Sequence, residues 1–262
     1  MRSLLSAEGY KLRKSGAFVL LCEFLAVSVV LYAMLAYWTN PKVGGGYRIS
    51  MTAIELYANA VAINQLLLKL FVGVLAGFFL SSEYATGVLK RAVSLGQHRE
   101  RVFTAKLGVY ALGIVAAALL IPALAAGIGS LMTGIGLLNG FGEKEGVSML
   151  AYVLRTIGFT ALFGAAYAAI SAWIAVVLAD NGKTIGVTIV FFLFVDQILM
   201  ALSGYVPLLK ALYDYSLFKL FADSAAFRMS GWTAALCIAV PIATIAVFAL
   251  LGVHAFRRKE IQ

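Results

Sequence analysis

The chain has 262 residues, 62% of them hydrophobic and 13% charged, with a formal net charge of +9. Charged residues make up about a quarter of an ordinary soluble domain, so this composition excludes a water-soluble globular protein and marks an integral membrane protein. The positive balance does not indicate a nucleic-acid binder, because the basic residues flank apolar runs and form no aromatic-interleaved patch.

A bilayer core of about 30 Å is crossed by roughly 20 apolar residues of helix, which pairs its own backbone N–H and C=O groups where no water can. Six runs of that kind are present, at 17–38, 56–80, 107–131, 151–178, 184–202 and 233–254. The expected fold class is all-α: a polytopic membrane protein of six transmembrane helices forming one domain over 1–262. It has an interfacial segment at 1–16, a charged connection at 81–106 and an outer cap region at 203–232. The first run is too long for a signal-peptide core and no small-residue cleavage site follows, so it is expected to be a retained span.

Spans in series alternate sides, which places Arg2, Lys11, Arg13, Lys14, Lys90, Arg91, Arg99, Arg101, Lys106, Lys183, Arg257, Arg258 and Lys259 on one face. The opposite loops hold Lys42, Arg48, Lys144, Lys210, Lys219 and Arg228. By the positive-inside rule both termini are expected to be cytoplasmic.

In chain order, the N-terminal segment carries Glu8 and Lys11, and span one carries Cys22 and Glu23. Span two contains Lys69 and then Gly73 and Gly77, a G-x-x-x-G that permits close helix packing. In the connection that follows, Tyr84, Val88 and Ala92 form one i, i+4 row and Ala85, Leu89 and Val93 the next, with Glu83, Lys90 and Arg91 on other faces. This pattern fits a short amphipathic helix on the membrane surface, closed by Gly96, or else a basic loop anchoring two spans. "GIGSLMTGIG" has Met132 where a dinucleotide fingerprint requires its third glycine, so it reads as flexible backbone near a span end.

Span four shows a small-residue stripe at Ala161, Ala165, Ala168 and Ala172. The "NGKT" at 181–184 is no phosphate loop, since Val177 stands where the first glycine belongs, and it reads as a tight turn between spans. Span five carries Asp196. At a rise of about 1.5 Å per residue, Lys69 lies roughly 16 Å from Leu80 and Asp196 roughly 18 Å from Thr184, so the two share a depth, with Glu23 shallower. An unpaired charge at a span centre costs about 3 kcal/mol, which favours a Lys69–Asp196 pair; a polar ring contacting a transported molecule is the alternative. The stretch 205–231 reads as an interfacial cap with Tyr205, Tyr213, Tyr215 and Trp232 as aromatic anchors. Cys22 and Cys237 fall in apolar spans, so neither a disulfide framework nor a metal site is indicated, and His98 and His254 fit no catalytic or ligand spacing.

The pattern Glu83-Tyr84, Gly87, Lys90-Arg91, Leu95-Gly96, Arg99 and Lys106 resembles the cytoplasmic loop of type-2 ATP-binding-cassette (ABC) permeases, especially those that export or confer immunity to lantibiotics and bacitracin-like peptides. Val88 and His98 stand where that family has Thr and Ser. "AEGYKLRKSGAF", with Glu8, Lys11, Leu12 and Ser15, resembles the segment by which such permeases enter their first span. The resemblance implies that 81–106 holds a coupling helix docking on a separate ATPase through Glu83, Tyr84, Gly87, Lys90, Arg91, Arg99 and Lys106. It implies a smaller contact through Asp180, Asn181 and Lys183, and places spans one, two and five, with Glu23, Lys69 and Asp196, around a central cavity and dimer interface. It also implies membrane-dipping helices before the last span.

On this reading the chain is the permease subunit of a bacterial ABC exporter in the cytoplasmic membrane. It is not itself an enzyme, binds no cofactor because ATP belongs to the partner ATPase, and works with a second permease subunit, identical or related. Its expected cargo is an amphipathic peptide antibiotic; another amphipathic compound, or a sodium or metal ion, is the transport alternative. An intramembrane enzyme is disfavoured because no nucleophile–base pair or metal ligand set shares a depth. A membrane scaffold without transport stays open.

Overall fold

The computed structural model describes residues 2–38, 53–85, 98–133, 143–144 and 147–258. Almost all of them are helical, and six helices among the described residues are long and apolar enough to cross a membrane. A two-residue antiparallel ladder, Glu143–Lys144 with Val147–Ser148, sits between the third and fourth spans.

The N-terminal helix, Arg2–Lys14, precedes span one, Gly16–Trp38. Ser15 separates them: its N–H donates to the Leu12 carbonyl at 3.1 Å, while its hydroxyl accepts from Phe18 N–H at 3.5 Å as an N-cap. Span two runs Ala53–Leu75, widens into a π-helical stretch at Ala76–Ser81, and ends in one further turn, Ser82–Ala85. Span three is Arg99–Thr133, span four Met149–Leu178, span five Asn181–Ser203 and span six Gly231–Arg258. Two eight-residue helices, Pro207–Asp214 and Leu217–Ser224, occupy the stretch before span six.

Span three begins more than two turns ahead of the expected Leu107, so Arg99, Arg101 and Lys106 stand on its helix. Its first turn carries Glu100, favourable at the positive end of a helix, and apolar Val102 and Phe103 are already buried there. An apolar count misses this prolongation because the same turns carry charges that find partners inside the protein. The amphipathic rows from Val88 onward, with Gly87, Lys90, Arg91 and Gly96, lie outside the described residues, as does 134–136 of the glycine-rich run, whose first part, 127–133, is helix in span three and not the flexible backbone expected.

Spans two, three and four form the inner layer, while spans one, five and six are peripheral: 67% of span four's most apolar window is buried, against 11% of span five's. The centre is closed by side-chain hydrogen bonds as well as packing. Tyr110 of span three donates to the Val72 carbonyl at 2.8 Å and lies 2.8 Å from the Ser171 hydroxyl, joining three spans at a fully buried point. Asn64 donates to the Ala118 carbonyl at 2.8 Å. Such bonds matter more than in a soluble core, since lipid offers a buried amide or hydroxyl nothing in exchange.

Span two meets span five through the glycine pair. A Cβ on Gly73 would come within 2.8 Å of Ile189 Cγ1, and one on Gly77 within 3.1 Å of the Asn181 carbonyl, so the two backbones approach only because side chains are absent. At the end that carries the N-terminal helix, Phe256 of span six stacks on Phe103 at 5.6 Å and meets Tyr84 edge-on at 6.3 Å. Gly252 makes room for the Phe103 ring. Together with the N-terminal helix, the end of span two, the start of span three and the end of span six thus gather at one face of the bundle.

Candidate functional site

At that face four charged side chains from three elements form a closed network. Lys11 Nζ lies 2.8 Å from Glu8 Oε1 and 3.3 Å from Glu83 Oε1; Lys106 Nζ lies 2.5 Å from Glu83 Oε2 and 3.3 Å from Glu8 Oε2. Each carboxylate thus takes both ammonium groups, and the net charge is zero. The Lys106 contacts are ion pairs by distance; their angles fall outside hydrogen-bond geometry. The side chains of Lys106, Glu8 and Glu83 are 4%, 6% and 12% exposed and that of Lys11 44%, so the network is buried around Lys106 and reaches the surface at Lys11. Lys106 Nζ also lies 5.4 Å from the centre of the Phe79 ring. Burial works against the Lys11 charge, but its hydrogen bond to Glu8 and the Glu83 carboxylate more than offset this and hold the ammonium above its usual range.

The connection between spans two and three therefore has both roots tied, Glu83 on one side and Lys106 on the other. The N-terminal helix is tied to both. Tyr84 sits beside Glu83 with its ring against Phe256. Arg99 opens the span-three helix, while Gly87, Lys90 and Arg91 lie outside the described residues.

The turn expected at 181–184 lies instead at Ala179 and Asp180, and 181–184 forms the first helical turn of span five because Asp180 caps it. Ala179 takes a left-handed conformation, φ 49°, ending span four, and Asp180 caps span five by accepting from Lys183 N–H at 2.8 Å. Lys183 is exposed. The Thr184 hydroxyl lies 2.8 Å from that of Ser81, at the end of the π-helical stretch, so the base of span five and the root of the charged connection are in contact.

Deeper in the bundle, Lys69 Nζ lies 2.6 Å from Asp196 Oδ2, with 12% and 17% of the two side chains exposed. The Lys69 ammonium lies 5.3 Å from the centre of the Phe218 ring on the second short helix. Phe218 packs among Tyr167, Phe191 and Phe192, and Phe221 stacks on Phe163 at 4.8 Å. A neutral ion pair is thus roofed by an aromatic cluster drawn from spans four and five and the short helix. Glu23 is not brought to it: its side chain is exposed on span one.

Arg155, a basic residue inside the apolar run of span four, belongs to the same assembly and escapes a reading that weighs only Glu23, Lys69 and Asp196. It donates to the carbonyls of Ala226 and Phe227, the latter at 3.2 Å, just beyond the second short helix. The signal that exposes it is the one that marks Lys69: a lone charge within a span needs a partner.

Among the described residues no group of three or more His, Cys, Asp or Glu side chains comes together as a metal site. Cys22 and Cys237 are free thiols.

No curated protein matches the chain. A family model described as "ABC-2 family transporter protein" matches residues 4–197, a stretch that takes in the N-terminal helix, the buried charge network and both members of the Lys69–Asp196 pair. With most of the chain matched and six helices of membrane-crossing length, this multi-pass protein belongs to the ABC-2 transporter family and is the membrane subunit of an ABC transporter.

Proposed function

We propose that the chain is the permease of an exporter that moves an amphipathic peptide antibiotic out of the bacterial cytoplasmic membrane, powered by ATP hydrolysis on separate ABC ATPase subunits. Two permease subunits, identical or related, form the pathway. The face carrying the N-terminal helix is the cytoplasmic one, and the ATPase docks on the 81–106 connection, with Glu83, Tyr84, Gly87, Lys90, Arg91, Arg99 and Lys106 in or beside the contact and Asp180 and Lys183 as a smaller one.

The observation that supports this reading is the buried network of Glu8, Lys11, Glu83 and Lys106. Glu83 and Lys106, the two roots of the connection, are tied to each other and to the N-terminal helix. A push from a docked ATPase passes into spans two and three and the N-terminal helix together. From Glu83 the path continues up span two to Lys69, whose partner sits on span five.

The test is purification of the tagged chain from its native membrane, followed by ATPase assays with a lantibiotic or bacitracin added. The expected result is a copurifying ATPase with a phosphate-loop motif, stimulated by the peptide, and lost with Glu83→Lys. Absence of any ATPase removes ATP-driven transport; an ATPase indifferent to both peptides, with no resistance conferred, removes the peptide cargo alone.

A further inference from the structure

The helix Leu217–Ser224 is only eight residues long, yet Leu217, Phe218, Leu220, Phe221 and Ser224 are all buried against the bundle. A short helix is an awkward object at such a place, because its last four carbonyls lack α-helical partners and lipid supplies none; here Ser224 Oγ donates to the Phe221 carbonyl at 2.6 Å, and the Ala225 and Ala226 N–H groups to those of Ala222 and Asp223 at 3.2 and 3.0 Å. Carbonyls from the middle of the helix to just beyond its end are met by side chains of three different spans. Cys237 Sγ of span six lies 3.4 Å from the Leu220 carbonyl, and Gln65 of span two donates to that of Phe221 at 2.8 Å. From span four, the Tyr152 hydroxyl donates to Ala225 at 2.9 Å, and Arg155 donates to both Ala226 and Phe227.

Arg155 differs from the others in kind. It is the cation of the set, placed at the negative end of the helix dipole, where a positive charge is favourable. One guanidinium nitrogen, Nη2, serves two successive carbonyls, and the guanidinium stands 5.5 Å from the centre of the Tyr152 ring. Tyr152 is in turn stacked on Phe227 at 4.6 Å and fixed edge-on by Tyr57 at 6.0 Å. Span four therefore grips the segment 225–227 through two residues one turn apart. The helix that leads into this segment carries Phe218, whose ring stands over Lys69.

We propose that Arg155 is a positioning residue: it clasps Leu217–Ser224 onto span four across the approach to the Lys69–Asp196 pair, and releasing the clasp unseats this helix and uncovers the pair. Gln65 and Cys237 bond to the middle of the helix and steady it, while Arg155 and Tyr152 bond to its exit, where the chain leaves for span six. The inference rests on this geometry alone and does not depend on the cargo or on the ATPase.

The test uses the full chain in membranes, with Cys22→Ala and Cys237→Ser as background and one cysteine introduced by Ser224→Cys, a buried position at the gripped end. An impermeant maleimide should label it slowly when Arg155 is intact and at least tenfold faster with Arg155→Ala. Arg155→Lys keeps a cation but loses the planar fork, and should give an intermediate rate. A second buried position far from the clasp, Ser171→Cys, should stay unlabelled in all three backgrounds. Equal slow labelling at position 224 in every variant overturns the proposal. So does a parallel rise at position 171, which would make Arg155 a residue of general stability.

Discussion

At the scale of single residues, Lys69 and Asp196 show how a membrane core decides what a charge does. Each alone would be an ammonium or a carboxylate held in a medium that solvates neither; together, at 2.6 Å, they are neutral and half roofed by Phe218. Losing one partner of a buried pair costs about 3–5 kcal/mol, while removing both can be nearly neutral. Lys69→Met and Asp196→Asn should each lower the yield of folded protein severalfold, and the double variant should regain most of it, read by size-exclusion profile and thermal aggregation of detergent-solubilised protein. Additive losses would show that the two charges act apart. The depth match is legible in the sequence because a helix advances by a fixed rise. Arg155 is less legible: its partners are backbone carbonyls of a segment with no charge to advertise, and side-chain-to-carbonyl bonds leave no trace in charge pairing. The Glu8–Glu83 neighbourhood is hidden for another reason. Both residues read as surface groups, and only the packing of the N-terminal helix against span three turns them inward.

At the scale of elements, span two is the part to watch, since it carries Lys69 near its middle, Glu83 at its end and the π-helical stretch Ala76–Ser81 between them. A π-helical stretch holds one residue more than an α-helix needs over the same length, and such stretches recur at functional sites. Tyr110 donates to the Val72 carbonyl, one turn before the wide segment, and Ser81 at its far end meets Thr184. If Ala76–Ser81 accommodates one surplus residue, deleting Phe78, whose side chain faces outward, should convert it to plain α-helix with both flanks in register. Deleting the equally outward Leu66, in regular helix, should rotate everything beyond it by about 100° and break the pairing of Lys69 with Asp196 or of Glu83 with Lys106. Protease resistance of the purified chain should survive the first deletion and fall sharply in the second. Equal damage from both would mean that the wide turn is required as such. The span itself is plain in the apolar pattern. The wide turn is not, because no residue type in "AGFFLS" demands it and the stretch is packed chiefly against spans four and five.

At the scale of the whole molecule, orientation is the property that binds the others. The structure gathers Glu8, Lys11, Glu83, Lys106, Tyr84 and Phe256 at one face, and Tyr57, Tyr152, Arg155 and the turn after Leu217–Ser224 toward the other. Arg155 adds one basic residue to the second face, and the excess of Lys and Arg at the first remains large. Positive residues near span ends are held on the cytoplasmic side during insertion, so the buried charge network should face the cytoplasm and the aromatic roof over Lys69 the exterior. With Cys22→Ala and Cys237→Ser as background, a cysteine introduced by Tyr205→Cys, at a residue 83% exposed, should react with an impermeant thiol reagent added to intact cells. One introduced by His98→Cys, exposed at the start of span three, should react only after the cells are made permeable. The reverse pattern would put the roots of the 81–106 connection outside, where no ATP is available, and would end its assignment as the ATPase dock.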